Sequence, residues 1–316
     1  MSGCVRLMAA FHHPVLVEEV LEALEPAARG EVLDGTVGGG GHSRALLERY
    51  QECRVLAVDR DPEALEEARA SLREFGDRVR FLRARFDDAA RGAGLAGPSL
   101  AGALLDLGVS AHQIDADHRG FTFRPEAPLD MRMDAGAGGG ITAAELLNER
   151  SEEDLARLFR RYGEEPRARR LAREVVRRRV HEPLRTSGDL VDVMATVFGR
   201  PPQVKEKARV FQALRIEVNE ELEALDAALP ALRDALLPGG VFVVIAYHSL
   251  EDRKVKNAFR EWSRACVCPP ELPICTCRGE ALGELMTRRV LRPSSTEVEV
   301  NPRSRSARMR VWRKAA

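Results

Sequence analysis

The chain lacks the features that mark secreted and membrane proteins. Its longest apolar run, residues 241–247, is far shorter than the roughly 18 residues that a membrane helix needs. Residues 7–11 (LMAAF) are too short for the apolar region of a signal peptide. Six cysteines in 316 residues do not resemble a secreted disulfide framework. These absences predict a cytoplasmic protein with no membrane partner.

Lysine is also scarce, and the formal net charge of the chain is zero. Only five of the 49 basic residues are lysine, and they are matched by 49 acidic residues. Overall charge therefore says nothing about partners, and an excess of arginine alone is a weak signal for nucleic acid, so the distribution of charge must decide. The length and the 44% hydrophobic content predict a globular chain of one large or two ordinary domains.

A block of four glycines organises the first half of the chain. A short apolar run, Glu31–Asp34, is followed by Gly38–Gly41 and then by the helical pattern RALLERY. Glycine lets the backbone turn sharply and lets a ligand approach it closely. A strand, glycine loop and helix in this order predict the first crossover of a doubly wound α/β sheet, where such folds bind ligands.

Three predicted strands end in an acid, at Asp34, Asp59 and Asp106. Asp59 follows Gly38 by 21 residues (59 − 38). An acid at about this spacing commonly binds the ribose hydroxyls of an adenosine-type cofactor. The alternative is an ordinary turn carboxylate before the helix that Asp61 and Pro62 begin.

The amino-acid sequence of the glycine loop narrows the choice of cofactor. The glycines do not form Gly-x-Gly-x-x-Gly, and no lysine follows them as a phosphate-binding loop requires. Carboxylates repel pyrophosphate but suit a sulfonium cation, an amino group and ribose hydroxyls, which together describe S-adenosylmethionine. Phe86 could offer an apolar face to adenine, or it could be a core aromatic.

The second half contains a block of helical patterns without strands. Residues 110–140 form a long irregular segment, and helical patterns then cover 142–148, 151–162, 166–180 and 187–198. Eleven arginines and four acids lie between Arg157 and Arg185. This excess predicts either a solvated helix face or a surface that contacts nucleic-acid phosphates.

The remaining residues return to an α/β pattern. A long helix over 210–229 precedes a buried strand over 241–246 and a helix capped by Ser249, and the basic C-terminal segment predicts a final strand at the edge of the sheet. His248, at the end of the buried strand, could be a base or a packed histidine.

Four cysteines lie close together as C-x-C-x6-C-x-C: Cys266, Cys268, Cys275 and Cys277. Four thiols this close could hold zinc. The C-x-C spacing is not the usual C-x2-C and no second half-site exists, so reduced surface thiols are the alternative.

Successive motifs resemble one bacterial family of methyltransferases, which modifies N4 of a cytidine in small-subunit ribosomal RNA (the RsmH or MraW family). The matching segments, in chain order, are GTVGGGGHS, AVDRDPEAL, LLDLGVS, RGFTF, PLDMRMD, FQALRIEVNEEL, HSLEDR and NPRSRSA. The resemblance covers residues 12–313. Three departures lie at Ser110–Ala111, where the family often has Ser-Ser, at Lys205–Arg209, in a segment expected to face RNA, and at Ala246–Tyr247, where the family often has Ser-Phe.

The resemblance implies a Rossmann-like S-adenosylmethionine-dependent methyltransferase sheet interrupted by an all-helical substrate-recognition insert. The expected boundaries are 1–110 and 206–316 for the methyltransferase domain and 111–205 for the loop and insert. The implied partner is 16S rRNA in its decoding region, within the assembled small subunit. The implied cofactor contacts are Gly40, Gly41, His42, Asp59, Phe86, Asp106 and Gln113.

The expected reaction is attack of an exocyclic amine on the cofactor's methyl group. Amino-methyltransferases commonly place an Asn/Asp-Pro-Pro-aromatic tetrad after the fourth strand, but this chain has Asp106-Leu107-Gly108-Val109. Asp106 is therefore the first candidate for the proton acceptor and His248 the second, while Phe121, Phe123 and Tyr247 are candidates for stacking on a splayed-out base. No catalytic metal is expected.

Three other functions remain possible from the sequence. They are a methyltransferase acting on a protein or small molecule, a non-catalytic RNA-binding assembly factor with the same fold, and a nicotinamide oxidoreductase. The arginine-rich insert disfavours a protein or small-molecule substrate. The intact glycines and aspartates disfavour a non-catalytic factor, and the sequence of the glycine loop disfavours a nicotinamide oxidoreductase.

Overall fold

The computed structural model describes residues 14–95, 97–268, 277 and 279–316. Cys275 and the run at residues 7–11 lie outside them. The chain divides into two compact units, the first made of residues 1–108 and 225–316 and the second of 109–224. The sequence analysis placed the insert at 111–205. The second unit extends beyond this range and also includes the helix that follows it. None of the described helices is long and apolar enough to cross a bilayer.

The described strands all belong to one sheet in the first unit, with the order β3-β2-β1-β4-β5-β7-β6. Their bounds are β1 Glu31–Asp34, β2 Arg54–Asp59, β3 Val79–Arg83, β4 Leu100–Asp106, β5 Leu236–Ala246, β6 Gly283–Leu285 and β7 Arg308–Lys314. β1 to β5 pair in parallel, and β7 pairs antiparallel with both β5 and β6. The order reverses between β1 and β4, which is where doubly wound sheets bind ligands.

The α-helices that the structure describes, in chain order, are α1 Val17–Leu24, α2 Gly41–Arg49, α3 Pro62–Ser71, α4 Ala89–Gly92, α5 Ala111–Asp115, α6 Ala143–Glu149, α7 Glu152–Arg161, α8 Ala168–Arg179, α9 Ser187–Phe198, α10 Val204–Asn219, α11 Glu221–Ala235, α12 Ser249–Trp262 and α13 Ser295–Val300. The four helical patterns predicted between 142 and 198 are confirmed as α6 to α9.

Two hydrophobic clusters cover the two faces of the sheet. Successive side chains of a strand point to opposite faces, so Val243 and Val244 of β5 belong to different clusters. The first cluster includes buried residues of α1, α2 and α3, and the second includes those of α11 and α12. The predicted Rossmann-like α/β class is confirmed, and helices pack on both faces of the sheet.

The predicted helix over 210–229 is wrong, because two helices meet at Glu220. This residue has a φ of 52°, in the left-handed region that ends a helix. The Asn219 side chain donates to the carbonyl of Met131 and accepts from the N–H of Met133, at 2.8 Å each. These long-range hydrogen bonds hold the break, and a local helical pattern does not reveal them.

The C-terminal strand is also placed differently from the prediction. β7 lies between β5 and β6 rather than at the edge, and the edge is the three-residue β6. β5 begins at Leu236 instead of Val241, with a register shift around Pro238–Gly240. Gly240 and Gly283 show why small residues recur here, since a Cβ at either would lie within 3.0 Å of another backbone oxygen.

Candidate functional site

The glycine loop joins β1 to α2, as predicted. Gly40 precedes the first residue of α2 with a φ of 88°, and a Cβ there would lie 3.2 Å from the Leu72 side chain. The N–H of Gly38 donates to Oδ2 of Asp59 at 2.9 Å. The loop is therefore free of side chains at these positions and is tied directly to the end of β2.

Asp59 ends β2 with both carboxylate oxygens in use. Oδ2 accepts from Gly38, and Oδ1 accepts from the N–H of Asp61 at 2.9 Å. Burial raises the pKa of Asp59 to about 6, although the two backbone donors oppose this. Each carboxylate oxygen has a second lone pair, so the group can still accept hydrogen bonds from ribose hydroxyls.

Asp34 has a different role from Asp59. It is buried, and its Oδ2 accepts a hydrogen bond from the hydroxyl of Ser43 in α2 at 2.6 Å. Its Oδ1 accepts from the N–H of Thr36 at 3.3 Å, and burial raises its pKa. Asp34 thus fixes the start of α2 to β1. The sequence grouped it with the ligand carboxylates, but Ser43 and Thr36 on either side of the glycines were a usable signal for this link.

Asp106 ends β4 and lies beside two polar rings. The hydroxyl of Tyr247 donates to Oδ1 at 2.9 Å, and Nδ1 of His42 lies 3.7 Å from Oδ2. The backbone N–H of Asp106 donates to Oγ1 of Thr36 at 2.7 Å. Burial, and then the charge of Asp106, raise the pKa of Tyr247 well above its ordinary value, so the phenol stays protonated and donates. Sequence reasoning assigned Tyr247 to base stacking and missed this hydrogen bond.

His42 is buried and oriented by its other ring nitrogen. Nε2 lies 2.8 Å from the carbonyl oxygen of Val15. A carbonyl can only accept, so Nε2 carries a proton. Nδ1 is then the ring atom on the Asp106 side, at a separation longer than a normal hydrogen bond.

His248 precedes α12 and caps it, so the prediction that Ser249 is the cap is wrong. Nδ1 of His248 accepts from the N–H of Glu251 at 3.4 Å, and Nε2 lies 3.1 Å from Oε1 of the same glutamate. An imidazole nitrogen with a lone pair can accept a hydrogen bond from a backbone N–H at the start of a helix, as the hydroxyl of serine does. Both ring nitrogens face Glu251, and the catalytic assignment of His248 stays a prediction.

The two other predicted contacts lie apart in the chain. Phe86 follows β3, is half-buried and packs against the cluster that includes Leu33. Gln113 belongs to the second unit, where its amide accepts from the N–H of Ser110 at 3.0 Å and donates to the carbonyl of Met133 at 3.3 Å. Their roles in cofactor binding stay predictions.

The second unit carries the arginine-rich segment mostly on α7 and α8. Several arginines are paired: Arg173 lies 3.5 Å from Glu152, and Arg177 2.5 Å from Glu174. Four others are exposed and make no ion pair with the described part of the chain: Arg160, Arg169, Arg170 and Arg185. These four guanidinium groups are available to an anionic partner.

The segment that departs from the family pattern is anchored in the second unit. The ammonium group of Lys207 lies 5.2 Å from the centre of the Phe123 ring, which packs edge-on against Phe211. Arg209 pairs with the buried carboxylate of Glu165 at 2.9 Å. Two basic side chains of the segment expected to face RNA therefore have partners within the protein.

The chemical groups at the carboxyl edge of the sheet are of the types that would bind S-adenosylmethionine. Gly38 and Gly40 have φ values of 52° and 88° and carry no side chain that would occupy the site. Asp59 keeps lone pairs for ribose hydroxyls, and Asp106 adds a second carboxylate near α2. An acid-rich edge with a glycine loop suits a cationic cofactor better than a pyrophosphate.

Comparisons with known proteins agree with this geometry. The model of the family described as "MraW methylase family" matches residues 9–315. A protein of Gemmatimonas aurantiaca named "Ribosomal RNA small subunit methyltransferase H" is 50% identical over 307 residues, covering 96% of this chain and 96% of that protein. A protein of the same name from Heliobacterium mobile is 48% identical over 313 residues, covering 96% of this chain and 99% of that protein.

Proposed function

We propose, from the premise that this chain belongs to the MraW methylase family, that it transfers a methyl group from S-adenosylmethionine to N4 of a cytidine in the decoding region of 16S rRNA. The observation that carries the proposal is the cluster of Gly38–Gly41, Asp59 and Asp106 at the point where the sheet order reverses. Relatives named for methylation of small-subunit ribosomal RNA support the substrate class.

The residues of the first unit would hold the cofactor in distinct ways. Gly40, Gly41 and His42 offer the backbone at the start of α2, Asp59 accepts from ribose hydroxyls, and Phe86 offers an apolar face to adenine. When bound, S-adenosylmethionine supplies an electrophilic methyl group. The positive end of the α2 dipole favours a carboxylate at the same helix start.

Asp106 is the proposed acceptor for the substrate amine. The lone pair of a cytosine amine is delocalised into the ring, so an acceptor must orient the amine, and positioning supplies much of the rate. Tyr247 donates to Oδ1, which keeps that oxygen fixed, while Oδ2 is the atom that would accept the amine hydrogen bond and hold the proton. His248 is the alternative acceptor.

The exposed arginines of the second unit would bind the RNA backbone. Arg160, Arg169 and Arg170 lie on or next to α7 and α8 without ion-pair partners among the described residues. Guanidinium groups bind phosphate oxygens through charge and paired hydrogen bonds. The assembled small subunit is the proposed substrate, and a cytoplasmic location, expected from the sequence, stays a prediction.

One experiment tests both the reaction and the form of the substrate. The protein is incubated with methyl-labelled S-adenosylmethionine and small subunits that lack the modification, and in parallel with the same RNA stripped of proteins. The RNA is digested and its nucleosides are identified. We expect label on N4 of cytidine in the subunits and much less in bare RNA. Label on another nucleoside, or on protein, would exclude the proposed reaction, and equal labelling of bare RNA would exclude the assembled subunit as the required substrate.

A further inference from the structure

Three cysteine side chains converge in the segment between α12 and β6 of the first unit. The Sγ atoms of Cys266, Cys268 and Cys277 all lie within 4.8 Å of one another. The three side chains are thiols and not disulfides. Residues that are eleven positions apart in the chain, Cys266 and Cys277, thus meet at one point together with Cys268.

The sulfur spacing matches a tetrahedral zinc site. With Zn–S bonds of about 2.3 Å, the sulfur atoms of a tetrahedral site are about 3.8 Å apart. The Sγ atoms of Cys266 and Cys277 are 3.9 Å apart. A disulfide would require about 2.0 Å, roughly half the observed separation. The distance between these two sulfur atoms is therefore close to the distance between two thiolate ligands of one zinc ion.

A backbone donor supports the charge that a ligand sulfur would carry. The N–H of Val267, between two of the cysteines, donates to Sγ of Cys277 at 3.4 Å. Zinc binds thiolates, and N–H donors to the sulfurs orient such ligands and tune the metal site. This hydrogen bond is independent of the sulfur distances and has the same implication.

The described ends of the surrounding segment are anchored in the first unit. Its ends are joined where the N–H of Leu282 donates to the carbonyl of Trp262 at 2.8 Å, and Nε1 of Trp312 donates to Ser263 at 3.2 Å. Between these points Val267 is 36% exposed and thus adds little burial. A metal bound by the three thiols would tie the segment together between these two points.

We propose that Cys266, Cys268 and Cys277 bind a structural Zn²⁺ ion. Cys275 is the fourth ligand that the sequence offers, and it lies outside the described residues. The three ligands are not among the residues assigned to the cofactor or to the substrate amine, so the ion holds structure and takes no part in methyl transfer. It fixes the segment that leads into β6, the short strand at the edge of the sheet next to β7. This inference does not depend on the proposed function.

The test measures metal in the full-length protein. The wild-type chain is purified under reducing conditions without chelator and its zinc is measured by mass spectrometry, alongside Cys266→Ser/Cys268→Ser, Cys275→Ser and the control Cys53→Ala. Cys53 is a buried thiol of the sheet core, remote in sequence from the cluster. We expect one zinc per chain in the wild type and the control, and loss of most of it in the double variant. Cys275→Ser should lower the zinc affinity by at least tenfold if Cys275 is the fourth ligand.

Reconstitution keeps the proposal testable if a variant does not fold. Zinc is removed from the wild-type protein by a chelator and replaced by Co²⁺, whose visible spectrum reports tetrahedral thiolate coordination. We expect that spectrum, fewer thiols reactive toward a disulfide reagent, and slower proteolysis after residue 262 in the metal-bound form. A metal-free protein with reactive thiols, a Cys266–Cys277 disulfide, or a cobalt spectrum without thiolate bands would each overturn the proposal.

Discussion

The two candidate binding regions are built on opposite principles. At the carboxyl edge of the sheet, Asp34, Asp59 and Asp106 are buried or half-buried, and each is fixed by hydrogen bonds to the loop or to a neighbouring side chain. On α8 of the second unit, Arg169 and Arg170 are exposed and make no ion pair with the described residues. A site of the first kind defines one ligand geometry, whereas a surface of the second kind contributes charge that adds up over many contacts.

This difference predicts how each region responds to substitution. Removing one buried group should cost a large factor, because its loss leaves other groups unsatisfied. Removing one exposed arginine should cost little, and the cost should depend on salt.

The largest effect is expected for Asp106→Asn. The asparagine oxygen can still accept from Tyr247, so the local structure is kept while the carboxylate that would hold the amine proton is lost. We expect kcat to fall about 100-fold, in the range for loss of a general base, with cofactor affinity changed much less. Single-turnover methylation and calorimetry measure the two quantities. Unchanged kcat with weakened cofactor binding would restrict Asp106 to the cofactor.

Asp59→Ala should weaken cofactor binding by about 30-fold, because hydrogen bonds to a charged group contribute roughly 2 kcal/mol. Calorimetry with S-adenosylmethionine measures this. The control is Asp77→Ala, which removes an exposed carboxylate of the same unit. If the two variants bind equally well, Asp59 does not contact the ribose.

Much of the first site could be predicted from the sequence because its signals are local. The strand ends at Asp34, Asp59 and Asp106, the glycine loop and the cap at Asp61 all depend on residues within a few positions. The features that were missed depend on distant partners. The break at Glu220 is held by the loop carbonyl of Met131, and the Tyr247–Asp106 hydrogen bond joins residues 141 positions apart. No periodicity in the sequence encodes such contacts.

Arg169→Gln/Arg170→Gln should raise KM for the ribosomal substrate about tenfold at moderate salt and reduce the salt dependence of binding by about two phosphate contacts. Cofactor affinity should not change. The matched control is Arg73→Gln, an exposed arginine of the first unit. A KM that changes equally at all salt concentrations would argue against phosphate contacts.

The smallest effect concerns pH. The pKa of Asp59 is raised to about 6 by burial, so lowering the pH from 7.5 to 5.5 protonates most of it. Only the ionised form accepts from both ribose hydroxyls, so we expect about fourfold weaker cofactor binding at pH 5.5. The effect on the fold has the opposite sign, because a raised pKa means that the native state holds the proton more tightly and this group adds stability as the pH falls from 6 toward 3.8. Weaker binding at pH 5.5 therefore does not report unfolding.

Asp59→Asn separates this effect from other titrating groups. Calorimetric titrations of the wild type and the variant at the two pH values should differ in slope, with the variant showing no fourfold component. Parallel pH profiles would assign the dependence to another group.

The position of β7 inside the sheet has a consequence for synthesis on the ribosome. β7 covers Arg308–Lys314 and includes the buried Trp312. It pairs with β5, which also pairs with β4 on its other side. The ribosome makes β4 more than 100 residues before β5 and makes β7 last of these three strands. Since chains fold as they emerge, the helices α6 to α9 can form while the sheet still lacks this strand. A polypeptide that stalls before residue 308 would therefore present β5 as an open edge to chaperones and proteases.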